Sequence, residues 1–251
     1  MLEFLNPHER DSRISFNEET HTYSIDGSSE GITSVTTLIH KHFPHFDPDD
    51  IIQKMRNSKN GIPEKYKNMS DDEIKLQWSE NGKEASGKGT KIHKSIELFY
   101  NNEEVPEKPT EFMYFLDFHE SIKDRLIPYR TEWSIFRKDL NLAGQLDMLY
   151  TIKDQEGKYA LYDWKRSKEI KTENKFEKGL GKLSHLDHCN YNHYSIQLNI
   201  YKRILETLYG LSITEMCLVI LYPENDTFKL YPVKEMKKEI DYIFNERKKE
   251  L

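Results

Sequence analysis

The stretch "YALYDWKRSKEI", Tyr159–Ile170, decides the fold. Tyr159, Leu161, Asp163 and Lys165 alternate with Ala160, Tyr162 and Trp164, the period of a β-strand. At that period Asp163 and Lys165 project from one face of an otherwise apolar strand. Burying a carboxylate and an ammonium is costly unless they are paired with each other or with a metal. An exposed ion pair is the plain alternative, since such pairs are common and contribute little. The neighbouring segments bear on which of the two holds.

Before this strand, "RTEWSIFRK" (130–138) and "LAGQLDMLYTI" (142–152) also read as strands, and "KDQEG" (153–157) reads as a hairpin turn. After it, residues 166–192 form a polar, basic loop. "YNHYSIQLNIYKRILETLYG" (191–210) has the spacing of an amphipathic helix ended by Gly210. "TEMCLVILYP" (214–223) and "DTFKLYPV" (226–233) are two more strands, and residues 234–251 form a charged terminal helix. Upstream, residues 13–38 read as short strands and turns, with "GITSVTTLI" rich in β-branched residues. Residues 46–110 change character. "FDPDDIIQKMRN", "MSDDEIKLQWSENGKEAS" and "GTKIHKSIELFYNN" predict three helices joined by Gly and Pro, with Ser70 and Glu73 spaced as a capping box. From Gly89 the order is helix, three strands, helix, strand, which predicts an α/β fold with a mixed sheet. The expected organisation is one domain: an N-terminal β segment (1–45), a helical insertion or arch (46–88), a core (89–233) and a C-terminal helix (234–251).

The chain has 251 residues, enough to bury a sizeable core. A formal net charge of −6 excludes a blanket polyanion binder, so any nucleic-acid contact has to use local basic surface. Two cysteines, Cys189 and Cys217, are too few for a disulfide framework, a four-cysteine zinc site or a cysteine-ligated iron–sulfur cluster. The first residues lack the apolar run of a signal peptide, and no 18-residue apolar stretch occurs. The expectation is a soluble, intracellular protein that is neither secreted nor membrane-bound.

The candidate chemistry gathers on four segments. Asp147 lies on the strand preceding Asp163, behind Gly144; strands paired through the short turn would bring the two carboxylates together. Two such groups repel unless a cation lies between them, and oxygen-rich sites suit Mg²⁺ or Mn²⁺. A solvent-facing acid explains Asp147 alone equally well. Lys165 beside such a site could stabilise charge developing on a phosphate. His93 and Glu97 stand at i and i+4 beside the apolar stripe Ile92, Ile96 and Phe99, where a hydrogen-bonded core histidine is the alternative. Gln197 and Tyr201 share that spacing beside Ile196, Ile200 and Ile204, where backbone groups are their commoner partners.

Taken in order, G-x-x-x-H-x-x-x-E (Gly89, His93, Glu97), G-x-x-D (Gly144, Asp147), D-W-K (Asp163, Trp164, Lys165) and Q-x-x-x-Y (Gln197, Tyr201) resemble the RecB-like branch of the PD-(D/E)XK nuclease superfamily. The likeness covers roughly residues 85–225. "GITSVTTLI" is similar to the "SVT" segment that opens exonucleases of this branch, and "DWKRSKEI" faintly resembles viral and phage nucleases. The resemblance implies a restriction-endonuclease-like core and a metal-dependent deoxyribonuclease, most readily an exonuclease on single-stranded DNA ends in replication, repair or recombination. An endonuclease on duplex DNA or RNA and a non-catalytic nucleic-acid-binding module are the alternatives. It further implies Asp147, Asp163, His93 and the Trp164 backbone carbonyl as ligands of Mg²⁺ or Mn²⁺, and Lys165 as the catalytic lysine. Gln197 and Tyr201 would position the scissile phosphate or Lys165. Glu97 and Glu132 are further candidates; a cross-strand salt bridge explains Glu132 as well. Some members of the branch hold an iron–sulfur cluster on four cysteines, which this chain cannot.

For substrate binding, seven basic residues (Lys165, Arg166, Lys168, Lys171, Lys175, Lys178, Lys182) face four acidic ones between Asp163 and Lys182. That balance suits a phosphate backbone, and a solvated loop nearly as well. Tyr66 and Trp78 could stack on bases or pack against the core.

Overall fold

The structure, a computed structural model, describes residues 1–59 and 61–251. It divides into a large unit, residues 1–44 and 92–251, and a small unit, residues 45–91. In the large unit, a short helix α1 (Leu2–Leu5) precedes a two-stranded antiparallel ribbon of β1 (Ile14–Asn17) and β2 (Thr22–Ile25). The segment expected to be a strand, "GITSVTTLI", is mostly helix. Only β3 (Thr33–Ser34) is extended, and α2 (Val35–His40) follows at once. Ser34 explains the change: its hydroxyl accepts the Thr37 N–H as an N-cap, while Val35, Leu38 and Ile39 bury one helical stripe.

The small unit holds α3 (Pro48–Arg56), capped by Asp47, and the start of α4 (Asp71–Tyr100). The Ser70–Glu73 capping box is in place: Ser70 N–H donates to Glu73 Oε2 at 2.7 Å, and Glu73 N–H to Ser70 Oγ at 3.3 Å. The second and third expected helices are one 30-residue helix. Gly82, Gly87 and Gly89 lower helix propensity but keep their N–H groups, so the ladder continues through them. The unit's core is Ile52, Tyr66 and Ile74, and Trp78 Nε1 donates to Tyr66 OH at 2.7 Å. Tyr66 is therefore committed to packing, the commoner of the two roles open to it from the sequence.

In the large unit, α5 (Thr110–Ile122) follows, a helix the sequence reading did not register. Its signal is the apolar stripe Phe112, Phe115, Phe118 and Ile122, all buried. Then come β4 (Leu126–Arg137), β5 (Leu142–Ile152), β6 (Lys158–Lys165), α6 (Asn190–Leu208), β7 (Ser212–Ile220), β8 (Lys229–Pro232) and α7 (Lys237–Glu250). The fold is α/β with a mixed sheet: β4–β5, β5–β6 and β7–β8 are antiparallel, while β6–β7 and β3–β5 are parallel. One face packs α2, α6 and α7 through Leu38, Ile196, Ile200, Ile204 and Ile243; the other packs α4 and α5 through Ile96, Phe115 and Phe118. No helix among the described residues is long and apolar enough to cross a membrane.

The edge of β5 away from β4 is shared. Its start pairs with β3 (Leu142 with Thr33, Ala143 with Ser34), and its end pairs with β6 from Met148 onward. Residues 144–147 fall in the fork between the two ladders.

Candidate functional site

The site grows from that fork. The β5–β6 ladder sets Met148 opposite Tyr162, so its next step sets Asp147 opposite Asp163. There the ladder stops, and the Trp164 N–H turns onto Asp147 Oδ2 at 2.7 Å. Both aspartates are buried, Asp163 to 1% exposure. They stand at the carboxyl end of β6, where open α/β sheets commonly bind ligands.

Side-chain alternation also breaks at this point. Leu142 and Leu146 face the α6 side, whereas Met148, Tyr150 and Ile152, of the same parity, face the α5 side. A regular strand keeps equal parity on one face, so β5 inverts at Asp147. Across the ladder Glu132 occupies the matching position on β4 with φ 45°, a conformation a glutamate rarely adopts. The strain accompanies a specific placement: Glu132 turns its carboxylate toward Asp147 and His93. Strained backbone of this kind concentrates at functional sites.

His93 reaches the same point from α4. Its Nδ1 lies 3.4 Å from Glu132 Oε1 and 3.6 Å from Asp147 Oδ1, and its Nε2 lies 3.0 Å from the Trp164 carbonyl. The carbonyl can only accept, so Nε2 carries the proton and Nδ1 is the nitrogen turned to the carboxylates. Ligand atoms of His93, Glu132 and Asp147 all lie within 4.8 Å of one another, close enough to hold one metal ion. Such a backbone contact on the far nitrogen is how metal-binding histidines are commonly oriented.

Asp163 and Lys165 share the α6 face, as their spacing predicts. Lys165 Nζ is ion-paired with Asp163 Oδ2 at 2.5 Å, and Asp163 Oδ1 has no hydrogen-bond donor. Glu132 Oε1 is likewise buried without one. Lys165 Nζ also stands 4.9 Å from the ring centre of Tyr194 on α6. From the same helix Gln197 Nε2 donates to Tyr201 OH at 3.1 Å. Tyr201 lies over Gly144: a Cβ there would meet the Tyr201 ring at 2.6 Å. Gly144 thus belongs to the motif because the tyrosine occupies the space a side chain would need.

The electrostatics fit a site short of positive charge. Burial, then the charge of Asp147, pushes Asp163 up to about 7 against the pull of Lys165. Burial likewise raises Asp147, opposed by His93 and Lys165. Burial disfavours the charged His93 ring, yet Asp147 and Glu132 outweigh it and raise the imidazole to about 9. Lys165 is raised in the same way, burial being overcome by the two aspartates.

The structure therefore brings together His93, Glu132, Asp147, Asp163 and Lys165, with Gln197 and Tyr201 beside them. Two expected ligands stand differently. The Trp164 carbonyl holds the His93 ring, and Glu97 is ion-paired with Lys94 at 2.7 Å, outside the group. Glu132 earns its place through a backbone conformation no spacing rule reveals. Sequence reasoning missed Tyr194, whose only signal was its place one turn before Gln197. It also missed Tyr23 of β2, whose hydroxyl is held un-ionised by burial and by the charges of Glu132 and Asp147. No family model matches the chain, and neither does any curated protein. Among solved structures, the crystal structure of SSO0001 is similar at 12% identity, covering 88% of this chain and 76% of that chain. The TM-score is 0.34, too low to bear on fold or activity.

Proposed function

We propose that the protein is a divalent-metal-dependent phosphodiester hydrolase with a restriction-endonuclease-like core, a deoxyribonuclease acting on the ends of single-stranded DNA. The observation that carries this reading is the meeting of His93, Glu132 and Asp147 within 4.8 Å beside the Asp163–Lys165 pair. The residues fit a cation. Three carboxylates, Glu132, Asp147 and Asp163, meet two cationic side chains, His93 and Lys165, and Asp163 Oδ1 is buried with no hydrogen-bond donor, so the group is one positive charge short. An all-oxygen set would suit Mg²⁺, and the His93 nitrogen tilts the preference toward Mn²⁺.

Asp147, Glu132, Asp163 and His93 Nδ1 would hold the ion, which when bound polarises a phosphoryl oxygen and acidifies water. The chain's own groups do the rest. The Trp164 carbonyl keeps the proton on His93 Nε2, so Nδ1 is the nitrogen that would give up its proton and ligate when an ion takes the place of the ring's charge. Lys165, held cationic by the aspartates, faces charge that develops on the phosphate. Tyr194 stands beside the lysine ring-on, and the Gln197–Tyr201 pair orients the α6 wall of the site.

The test is incubation with end-labelled linear and circular single-stranded DNA in Mg²⁺, Mn²⁺ or EDTA. Cleavage of the linear strand that EDTA abolishes, and that Asp163→Ala and Lys165→Ala remove, is expected. Cleavage indifferent to EDTA or to both substitutions overturns the proposal. Attack on circles marks an endonuclease, preference for RNA or duplex redirects the substrate, and binding without turnover in Mn²⁺ marks a non-catalytic module.

A further inference from the structure

The loop joining β6 to α6 displays one feature the reaction centre does not use. Phe176 is 95% exposed, although it is a large apolar side chain in a protein whose other aromatics are mostly covered. The ring is held out by a tied turn. Asn174 Oδ1 accepts the Phe176 N–H at 3.0 Å and the Glu177 N–H at 3.2 Å. Asn174 is itself anchored, donating from its backbone to Asp187 Oδ2 at 2.9 Å and from Nδ2 to the His188 carbonyl at 2.8 Å. Lys178 and Asp187 then close the turn with a β-bridge and an ion pair. Exposure here is built rather than a consequence of a loose end.

A cavity of about 270 Å³ opens beside the ring, and its lining includes Lys171, Lys175, Phe176 and His188 together with one carboxylate, Glu173. That is slightly below the usual range for a small-molecule pocket, a size suited to one planar group. Three other basic residues of the loop are ion-paired, Arg166 with Glu111, Lys168 with Glu224 and Lys178 with Asp187, while Lys182 stands over the Tyr242 ring. Among the described residues no carboxylate pairs with Lys171 or Lys175, which line the cavity with the ring. An exposed aromatic beside two ammonium groups, in a lining that Glu173 leaves net positive, is an arrangement that can stack a base while holding its phosphates. The loop leaves β6 directly after Lys165, and the Lys171 N–H donates to Asn190 Oδ1 at 2.8 Å, tying it to the start of α6, the helix that carries Tyr194 and Gln197.

We infer that Phe176, with Lys171 and Lys175, forms a nucleobase-stacking subsite that grips single-stranded DNA beyond the bond being cut. The inference rests on the nuclease reading and names the part of the substrate this loop takes. Stacking works on any base, so the subsite adds affinity without sequence preference.

The experiment is fluorescence anisotropy of labelled (dT)15, and of an abasic strand of equal length, in EDTA so that nothing is cut. Phe176→Ala is expected to weaken (dT)15 binding about 5- to 150-fold, the loss of one base stack, and to leave abasic-strand binding unchanged. Phe176→Trp is expected to restore (dT)15 affinity. Unchanged thermal melting of both variants confirms that the fold is intact, as the exposure of the ring predicts. Equal (dT)15 affinity in wild type and Phe176→Ala overturns the subsite, and so does an equal loss on the abasic strand. If wild-type protein in Mn²⁺ still cuts linear single strands, the nuclease reading survives that failure. A wild type that neither binds nor cuts overturns both.

Discussion

Strand β4 carries two buried ionic clusters two residues apart, and they obey opposite rules. At Arg130 every group has a partner. Its Nη1 donates to Asp11 Oδ2 at 2.8 Å and to the Asn6 carbonyl at 2.9 Å, and the guanidinium lies 4.3 Å above the Trp133 ring. Asp11 also accepts from Trp133 Nε1 and from the His8 N–H. Burial would raise the Asp11 carboxyl, but Arg130, His8 and Trp133 together hold it below its ordinary range. At Glu132 the carboxylates outnumber their donors, and burial raises Asp147 and Asp163 instead. A cluster complete in charge and donors holds the fold by itself; one short of positive charge is, on the proposed reading, where a cation belongs.

That contrast is broken or sharpened first by substitution. Asp163→Asn should cut linear-strand cleavage at least about 10²–10³-fold, the scale of losing one preorganised electrostatic group. Its melting temperature should hold or rise, because carboxylate repulsion is relieved. Arg130→Ala, with its side chain 5% exposed, should cost about 3 kcal/mol by stranding Asp11, or roughly 6–12 °C in a protein of this size. Thermal melts read both. An Asp163→Asn variant that melts as far below wild type as Arg130→Ala would erase the distinction.

Next in size is the response to a cation. Mn²⁺ at a hundred times its Kd should stabilise the protein by about 2.7 kcal/mol, reversed by EDTA and missing from Asp147→Asn. A melt that Mn²⁺ leaves unmoved would put Glu132 in the same class as Arg130.

The smallest effect is on the pH profile of cation-free stability, and its two limbs belong to different clusters. Asp11 is depressed, so its contribution is present above the ordinary carboxylate pKa of 3.8 and is lost as pH falls through its folded value. His93 is raised from 6.5 to about 9, so its contribution is full below 6.5 and is lost as pH rises through about 9. Asp163, raised from 3.8 to about 7, lowers stability as pH rises between those two values and adds no slope above 7, so it blunts the top of the acid limb and leaves the alkaline limb to His93. Denaturation midpoints from pH 3 to 10 should show Arg130→Ala flattening the acid limb and Glu132→Gln the alkaline one. A flat alkaline limb in wild type would mean that His93 is not held by its carboxylates.

Much of this was legible in the sequence. The hairpin 142–165 announces itself by alternation and the "KDQEG" turn, and α6 by Ile196, Ile200 and Ile204 with Gly210 behind them. Spacing puts Asp163 and Lys165 on one face, and pairing through a short turn brings Asp147 to them. What spacing did not reveal was long-range or local to a single torsion angle. Ser34 turns a β-branched run into a helix by capping it. Glycines that looked like breaks in α4 are tolerated because their hydrogen bonds persist. Glu132 joins the cluster through a left-handed backbone, and His93 is oriented by a carbonyl 71 residues away.

The forked edge of β5 has a consequence for how the molecule breathes. Strand centres paired on both sides exchange their amide protons only when the whole fold opens, whereas residues 144–147 have β4 on one side and neither β3 nor β6 on the other. Hydrogen–deuterium labelling should find a narrow window of quicker exchange there, inside an otherwise slow strand. The backbone would then be most yielding at the very point where the carboxylates gather, so that local adjustment around an incoming ion need not disturb the sheet on either side.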